Sequence, residues 1–172
     1  MRKTMKWMLL LAATLFVGKA DATDAKGFSG KTFASGNFEE FDLFNHWFLT
    51  GVPREERHRR FLWLSHLRTR GASDLFVQDN TWAPGGTTGW HTHPGASLII
   101  VTLGTVTVYE GDDLGCTPHA YTAGQTFVDA GGSHVHVIRN ETSSPAKTVA
   151  VQLVPHAVAR RIGADAPGNC PF

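Results

Sequence analysis

Nine histidines occur in this 172-residue chain, and four of them form two His-x-His pairs, His91/His93 and His134/His136. In an extended strand, residues i and i+2 point to the same side, so each pair offers two imidazoles to one face of a sheet. Imidazole nitrogen favours Zn, Cu, Fe and Ni, and two strands supplying such pairs can converge on one divalent ion, so the expected cofactor is a divalent transition metal, Fe, Mn, Ni, Cu or Zn. An isolated histidine is more often a surface or hydrogen-bonded core residue. Two pairs in neighbouring glycine-flanked segments favour metal binding by at least three of the four.

Other reactive-looking residues carry less. Ser97 lacks a G-x-S-x-G setting and runs straight into an apolar strand, which argues against a nucleophile. Gly85, Gly86 and Gly89 lack the lysine and following helix of a phosphate loop. Trp82 and Trp90 fit core or rim packing better than a ligand platform, and Asp112 and Asp113 read as turn residues. Glu110 at a strand end and Asp129 before a turn give no clear general acid or base.

The elements that must position the histidines are short. After the turn Arg70 to Ser73, β-like segments separated by Gly, Pro, Asn and Asp span Asp74 to Ala83, Thr87 to His93, Ser97 to Leu103 and Thr105 to Glu110. Ala120 to Thr122, Gln125 to Asp129, His134 to Arg139 and Lys147 to Val154 follow. Spacings of roughly 8 to 12 residues predict an all-β sandwich or barrel. Upstream, Phe61 to Thr69 alternates as a strand. Residues 23 to 36 read as an entry segment, and Asn37, Glu39 and Glu40 ahead of Phe41, Phe44, Trp47 and Phe48 predict a short helix.

Arg2, Lys3 and Lys6 precede the apolar run Trp7 to Val17, and Ala20-Asp21-Ala22 supplies a small-x-small site. A run of eleven residues, apolar but for Thr14, is too short for a spanning helix, which needs about 20, and the order is that of a secretory signal peptide. Residues 1–22 are therefore expected to be removed, leaving no stable membrane span and a secreted or periplasmic protein. Removal takes four of the 16 Lys/Arg and one of the 15 Asp/Glu, leaving 12 and 14 and a net charge of −2. That balance argues against nucleic acid as a partner, and the six arginines from Arg54 to Arg70 read as a solvated face. In an oxidising compartment, Cys116 and Cys170 are expected to pair, tying down a tail poor in apolar residues. The expected organisation is a leader (1–22), an N-terminal extension (23–60), a barrel (61–159) and a disulfide-tied tail (160–172).

The residues from Gly85 through His91, His93 and Ser97 to Gly104 resemble the first motif of the cupin family, G-x5-H-x-H-x3-4-E-x6-G. Gly124 through Ala130, Gly131 and Gly132 to His136 and Asn140 resemble the second, G-x5-P-x-G-x2-H-x3-N. The resemblance covers about half of the chain. It implies a double-stranded β-helix, or jelly-roll barrel, holding a divalent metal through His91, His93 and His136, with His134 as a further candidate. Two departures stand out: Ser97 occupies the acidic ligand's place, and Ala130 replaces the proline with one extra residue before His136. Without a carboxylate, three neutral imidazoles would leave a divalent ion its full +2 and favour an anionic ligand. The family includes dioxygenases, isomerases, decarboxylases, storage proteins and sugar sensors. The resemblance thus implies either a metal-dependent enzyme, such as a small-molecule dioxygenase, or a non-catalytic small-ligand or sugar-binding module. It leaves a homodimer open.

Overall fold

The computed structural model describes residues 23–48 and 62–172. The leader and the arginine-rich residues 54–60 lie outside that range. Twelve strands and no helix occur among the described residues: β1 (Lys26–Phe38), β2 (Asp42–Phe48), β3 (Leu62–Arg68), β4 (Ser73–Thr87), β5 (His91–Thr92), β6 (Ser97–Leu103), β7 (Thr105–Glu110), β8 (His119–Thr122), β9 (Thr126–Asp129), β10 (His136–Arg139), β11 (Ala146–Pro155) and β12 (Ile162–Gly163).

Ten strands form one nearly closed sheet, readable as two five-stranded layers. One layer runs β1, β4, β11, β6, β9 and the other β12, β5, β10, β7, β8. A bridge between Arg139 of β10 and Thr87 of β4 joins them. This is the double-stranded β-helix, which protects strand edges by folding its sheets onto each other.

Period-2 patterning explains which residues fill it. Along β11, Thr148, Ala150, Gln152 and Val154 are buried while their neighbours are partly exposed, and along β6 Ser97, Ile99 and Val101 alternate with exposed Leu98 and Ile100. The interior is graded. One end is an apolar core of Trp82, Val101, Val106, Val108, Ile138 and Ala146, with Phe28 packed 4.8 Å from the Trp82 ring. The other end is polar, carrying Gln78, Asn80, Ser97, Thr148 and Gln152 beside the histidines.

The upstream segment departs from expectation. Residues 26–38 form a thirteen-residue strand along β4, with Phe28 opposite Trp82 and Asn37 opposite Asp74. The helix expected after Asn37 is instead β2, paired over seven residues with β3 as a separate hairpin. Spacings of three and four among a few aromatics are ambiguous over so short a stretch. A helix of that length is marginal in water, whereas β3 offers a complementary strand. The Asn37 side chain bonds Asp74 Oδ1 at 3.0 Å and so braces a strand pair rather than capping a helix.

Cys116 and Cys170 are disulfide-bonded, with Cα atoms 5.2 Å apart. The bridge lies against a second cluster, Trp90, Tyr109 and Val137. The tail it anchors is structured, because β12 pairs with β5 at Ile162 with Thr92 and Gly163 with His91.

Candidate metal centre

His136 opens β10 and is paired with His91 of β5 on one side and Glu110 of β7 on the other. Direct cross-strand partners project to the same face, so the His91 and His136 rings meet inside the barrel with centroids 4.4 Å apart. His93 follows β5 immediately and adds a third ring, 4.8 Å from His91 and 5.5 Å from His136. All three are buried, and one ligand atom from each lies within 4.8 Å of the others.

Two of the rings are oriented by backbone carbonyls. His91 Nδ1 lies 2.8 Å from the Gly89 carbonyl, and His93 Nδ1 lies 2.7 Å from the Arg160 carbonyl. A carbonyl only accepts, so each Nδ1 carries the proton and each Nε2 keeps its lone pair, the tautomer a metal ligand requires. Gly89 presents its carbonyl from a φ of +68°, and a Cβ there would meet the Thr23 carbonyl oxygen at 2.1 Å, so only glycine fits.

Burial keeps the cluster neutral. The His91 pKa is lowered to about 2, first by desolvation and then by the neighbouring His136 and His93. Burial also lowers His93, against the opposing pull of the Arg160 carbonyl and Asp129. His136 is lowered to about 4 by the same desolvation, which nearby Asp129 only partly offsets. Three imidazoles are thus unprotonated at neutral pH with their lone pairs available. Neither ring nitrogen of His136 has a hydrogen-bond partner of good geometry, although the His134 carbonyl lies close enough to favour its protonated form. Orphaned buried nitrogens of this kind fit a metal that would complete them.

His134 stands apart. It precedes β10 in the turn, and its Nε2 bonds Glu110 Oε2 at 2.7 Å on the half-exposed outer side. The structure therefore brings together His91, His93 and His136 but not His134. Asn140 closes the next turn as expected, fully buried, donating from Nδ2 to the carbonyls of Ala83 and Ser144. Trp82 and Trp90 are core residues, and Asp113 accepts turn bonds from the Gly115 and Thr117 amides.

Sequence reasoning missed two features. Asp129, passed over as a strand-end residue before a turn, is buried, with its Oδ2 3.3 Å from His93 Nε2 and 3.7 Å from His136 Nε2. The alternation of half-buried Phe127 and buried Asp129 along β9 was the available signal. Arg160 and Arg161, assigned to the tail, line the same cavity of about 120 Å³ as the three histidines and Ser97. No motif pointed to them, because tertiary pairing of β12 with β5 brings them there.

A double-stranded β-helix with three imidazoles clustered inside it defines a class of barrels suited to binding a metal. Residues 80–152 match the family model of the cupin domain, which covers the central part of the barrel. Similar solved structures include a double-stranded β-helix protein from Klebsiella pneumoniae subsp. pneumoniae, 22% identical over 53% of this chain and 70% of that one, with a TM-score of 0.44. A conserved Streptococcus pyogenes protein of unknown function is 19% identical over 48% and 67%, with a TM-score of 0.41. An oxalate oxidase is 28% identical over 48% and 46%, with a TM-score of 0.40, so the shared part spans less than half of that enzyme. No curated protein matches the chain.

Proposed function

We propose that this chain is an exported cupin that holds a divalent transition metal through His91, His93 and His136 and uses it on a small anionic, oxygen-bearing molecule. The observation that carries the reading is the cluster itself: three buried neutral imidazoles, two with their Nδ1 protons committed to carbonyls. When bound, the ion would supply Lewis-acid or redox chemistry, as in a small-molecule dioxygenase or related enzyme.

The chain's own residues supply selection and exclusion. The cavity admits a few heavy atoms, and Arg160 and Arg161 at its wall make it electropositive. Arg160 bonds the Gln78 side chain and Arg161 the Thr88 carbonyl, so both guanidinium groups are held in place with other N–H groups unused. Planar guanidinium donors match a carboxylate. The alternative, a non-catalytic binding module, draws support from the absence of a hydrogen-bonded general acid and base pair among the described cavity residues. Export is supported by the basic-apolar-small order of residues 1–22 and by the disulfide, which persists outside the cytosol.

The test is elemental analysis of protein purified from its native host, followed by substrate-depletion assays with small carboxylates on metal-loaded protein. Stoichiometric metal with turnover that falls on Arg160→Ala is the expected result. Metal with tight carboxylate binding and no turnover would establish the binding module, and protein unable to take up metal would overturn both readings.

A further inference from the structure

The acidic residue that the first motif lacks at Ser97 has a counterpart directly across the sheet. Ser97 of β6 and Asp129 of β9 are cross-strand partners in an unbroken four-residue register. Both are buried and both line the histidine cavity. Cross-strand partners lie about 5 Å apart and point to the same side, so a carboxylate moved from one position to the other stays within reach of the same point.

The two oxygens of Asp129 have different surroundings. Oδ1 accepts the Gly131 amide at 2.9 Å, which fixes the side-chain rotamer. Gly131 holds that turn with a φ of +67°, where a Cβ would meet the Gly95 carbonyl oxygen at 2.3 Å. Oδ2 is buried with no hydrogen-bond partner, and it faces His93 Nε2 at 3.3 Å and His136 Nε2 at 3.7 Å. Because His93 Nδ1 is committed to a carbonyl, its Nε2 is a lone pair, and two lone pairs facing each other in a buried site repel unless a cation lies between them. Donors each about 2.1 Å from one ion, at tetrahedral or octahedral angles, stand roughly 3.0–3.4 Å apart. The observed separations sit at and just beyond that range.

We propose that Asp129 is the fourth protein ligand of the metal, a carboxylate supplied from β9 in place of the one absent at Ser97. The donor set is then three imidazoles and one carboxylate, the bound divalent ion carries a net +1, and an oxygen donor shifts preference toward Mn and Fe. This inference rests on the metal reading above and goes beyond it in naming the ligand and the strand that delivers it.

The experiment uses the chelator-stripped mature chain titrated with Mn²⁺ alone by calorimetry, in parallel for wild type, Asp129→Asn and Ser97→Glu/Asp129→Asn. Asparagine keeps an oxygen for the Gly131 amide and removes the charge. Asp129→Asn is expected to weaken Mn²⁺ binding by at least about tenfold, and the double variant to recover most of the loss, because the carboxylate returns from the facing strand. Infrared difference spectra of wild type labelled with ¹³C-carboxyl aspartate should show one aspartate band shifting on Mn²⁺ addition, a readout that needs no variant to fold. Unchanged affinity in Asp129→Asn, or no aspartate band shift in a wild type that binds Mn²⁺, overturns the assignment and leaves the three-histidine site standing. A wild type with no affinity for Mn²⁺, Fe²⁺, Ni²⁺, Cu²⁺ or Zn²⁺ overturns both.

Discussion

His91/His93 and His134/His136 share one sequence pattern and have different fates. Both members of the first pair enter the barrel. The second pair splits, with His136 inside at 2% exposure and His134 outside against Glu110. The difference lies in what precedes each pair. His91 begins β5 and is gripped between β10 and β12, so the alternation rule governs its neighbours. His134 belongs to the turn after Gly131 and Gly132, where no strand imposes alternation, and β10 begins only at His136. A two-residue spacing places side chains on one face only when the backbone between them is extended and paired.

The first test of this contrast is metal binding by single variants. His91→Ala, His93→Ala and His136→Ala should each weaken metal affinity by more than the roughly 10–100-fold cost of losing a supporting hydrogen bond, measured by competition with a chromogenic chelator. Loss in His134→Ala with retention in His136→Ala would reverse the division between inner and outer histidines.

The first pair also depends on the tail. The Arg160 carbonyl orients His93, β12 flanks His91, and the Cys116–Cys170 bridge holds the tail against the barrel. In the chain-entropy model, opening a loop of roughly 55 residues costs about 4 kcal/mol. Cys116→Ser/Cys170→Ser should therefore lower the melting temperature and weaken metal binding. Calorimetric melts and metal titrations on the same preparation check the two effects together, and a destabilised variant with unchanged metal affinity would disconnect the tail from the site.

The particular elements show where sequence was sufficient. Ser97–Leu103 and Thr105–Glu110 match their expected bounds to the residue because Gly104, at a φ of +68°, breaks the extended run between them. The stretch expected as one strand from Thr87 to His93 is instead the end of β4 and the start of β5, separated by Gly89 at positive φ. Three of the four candidate ligands cluster as the motifs implied. Asp129, Arg160 and Arg161 remained hidden because register and long-range pairing, unlike periodicity, are not local properties. The aromatic stripe of β2 misled for the same reason, since its partner β3 lies beyond residues 49–61.

Acid should destabilise the metal-free protein through its inner histidines. An unfolded histidine takes a proton near pH 6.5, whereas folded His136 does so only near about 4 and His91 near about 2. Between those values the unfolded chain binds more protons, so stability is full above about pH 6.5 and falls as pH drops. His91 and His136 should each contribute on the order of 3 kcal/mol of that loss by pH 4. Urea midpoints measured from pH 7.5 to 4 should show a shallower decline in His136→Gln.

The smallest effect belongs to His134. Its bond to Glu110 joins groups about one-third exposed, and Asp112 lies 3.9 Å from its Nδ1 with most of its own side chain in water. Such surface pairs contribute about 0–1 kcal/mol and weaken with salt. His134→Ala should therefore shift the urea midpoint slightly at low ionic strength and less at high, leaving metal affinity unchanged. His134 sits two residues before the buried His136, so the substitution also tests whether that turn positions His136. A metal affinity that falls with His134→Ala but recovers with His134→Asn would show that a polar side chain is needed there to set the start of β10, and it would tie the outer histidine to the inner site through the backbone.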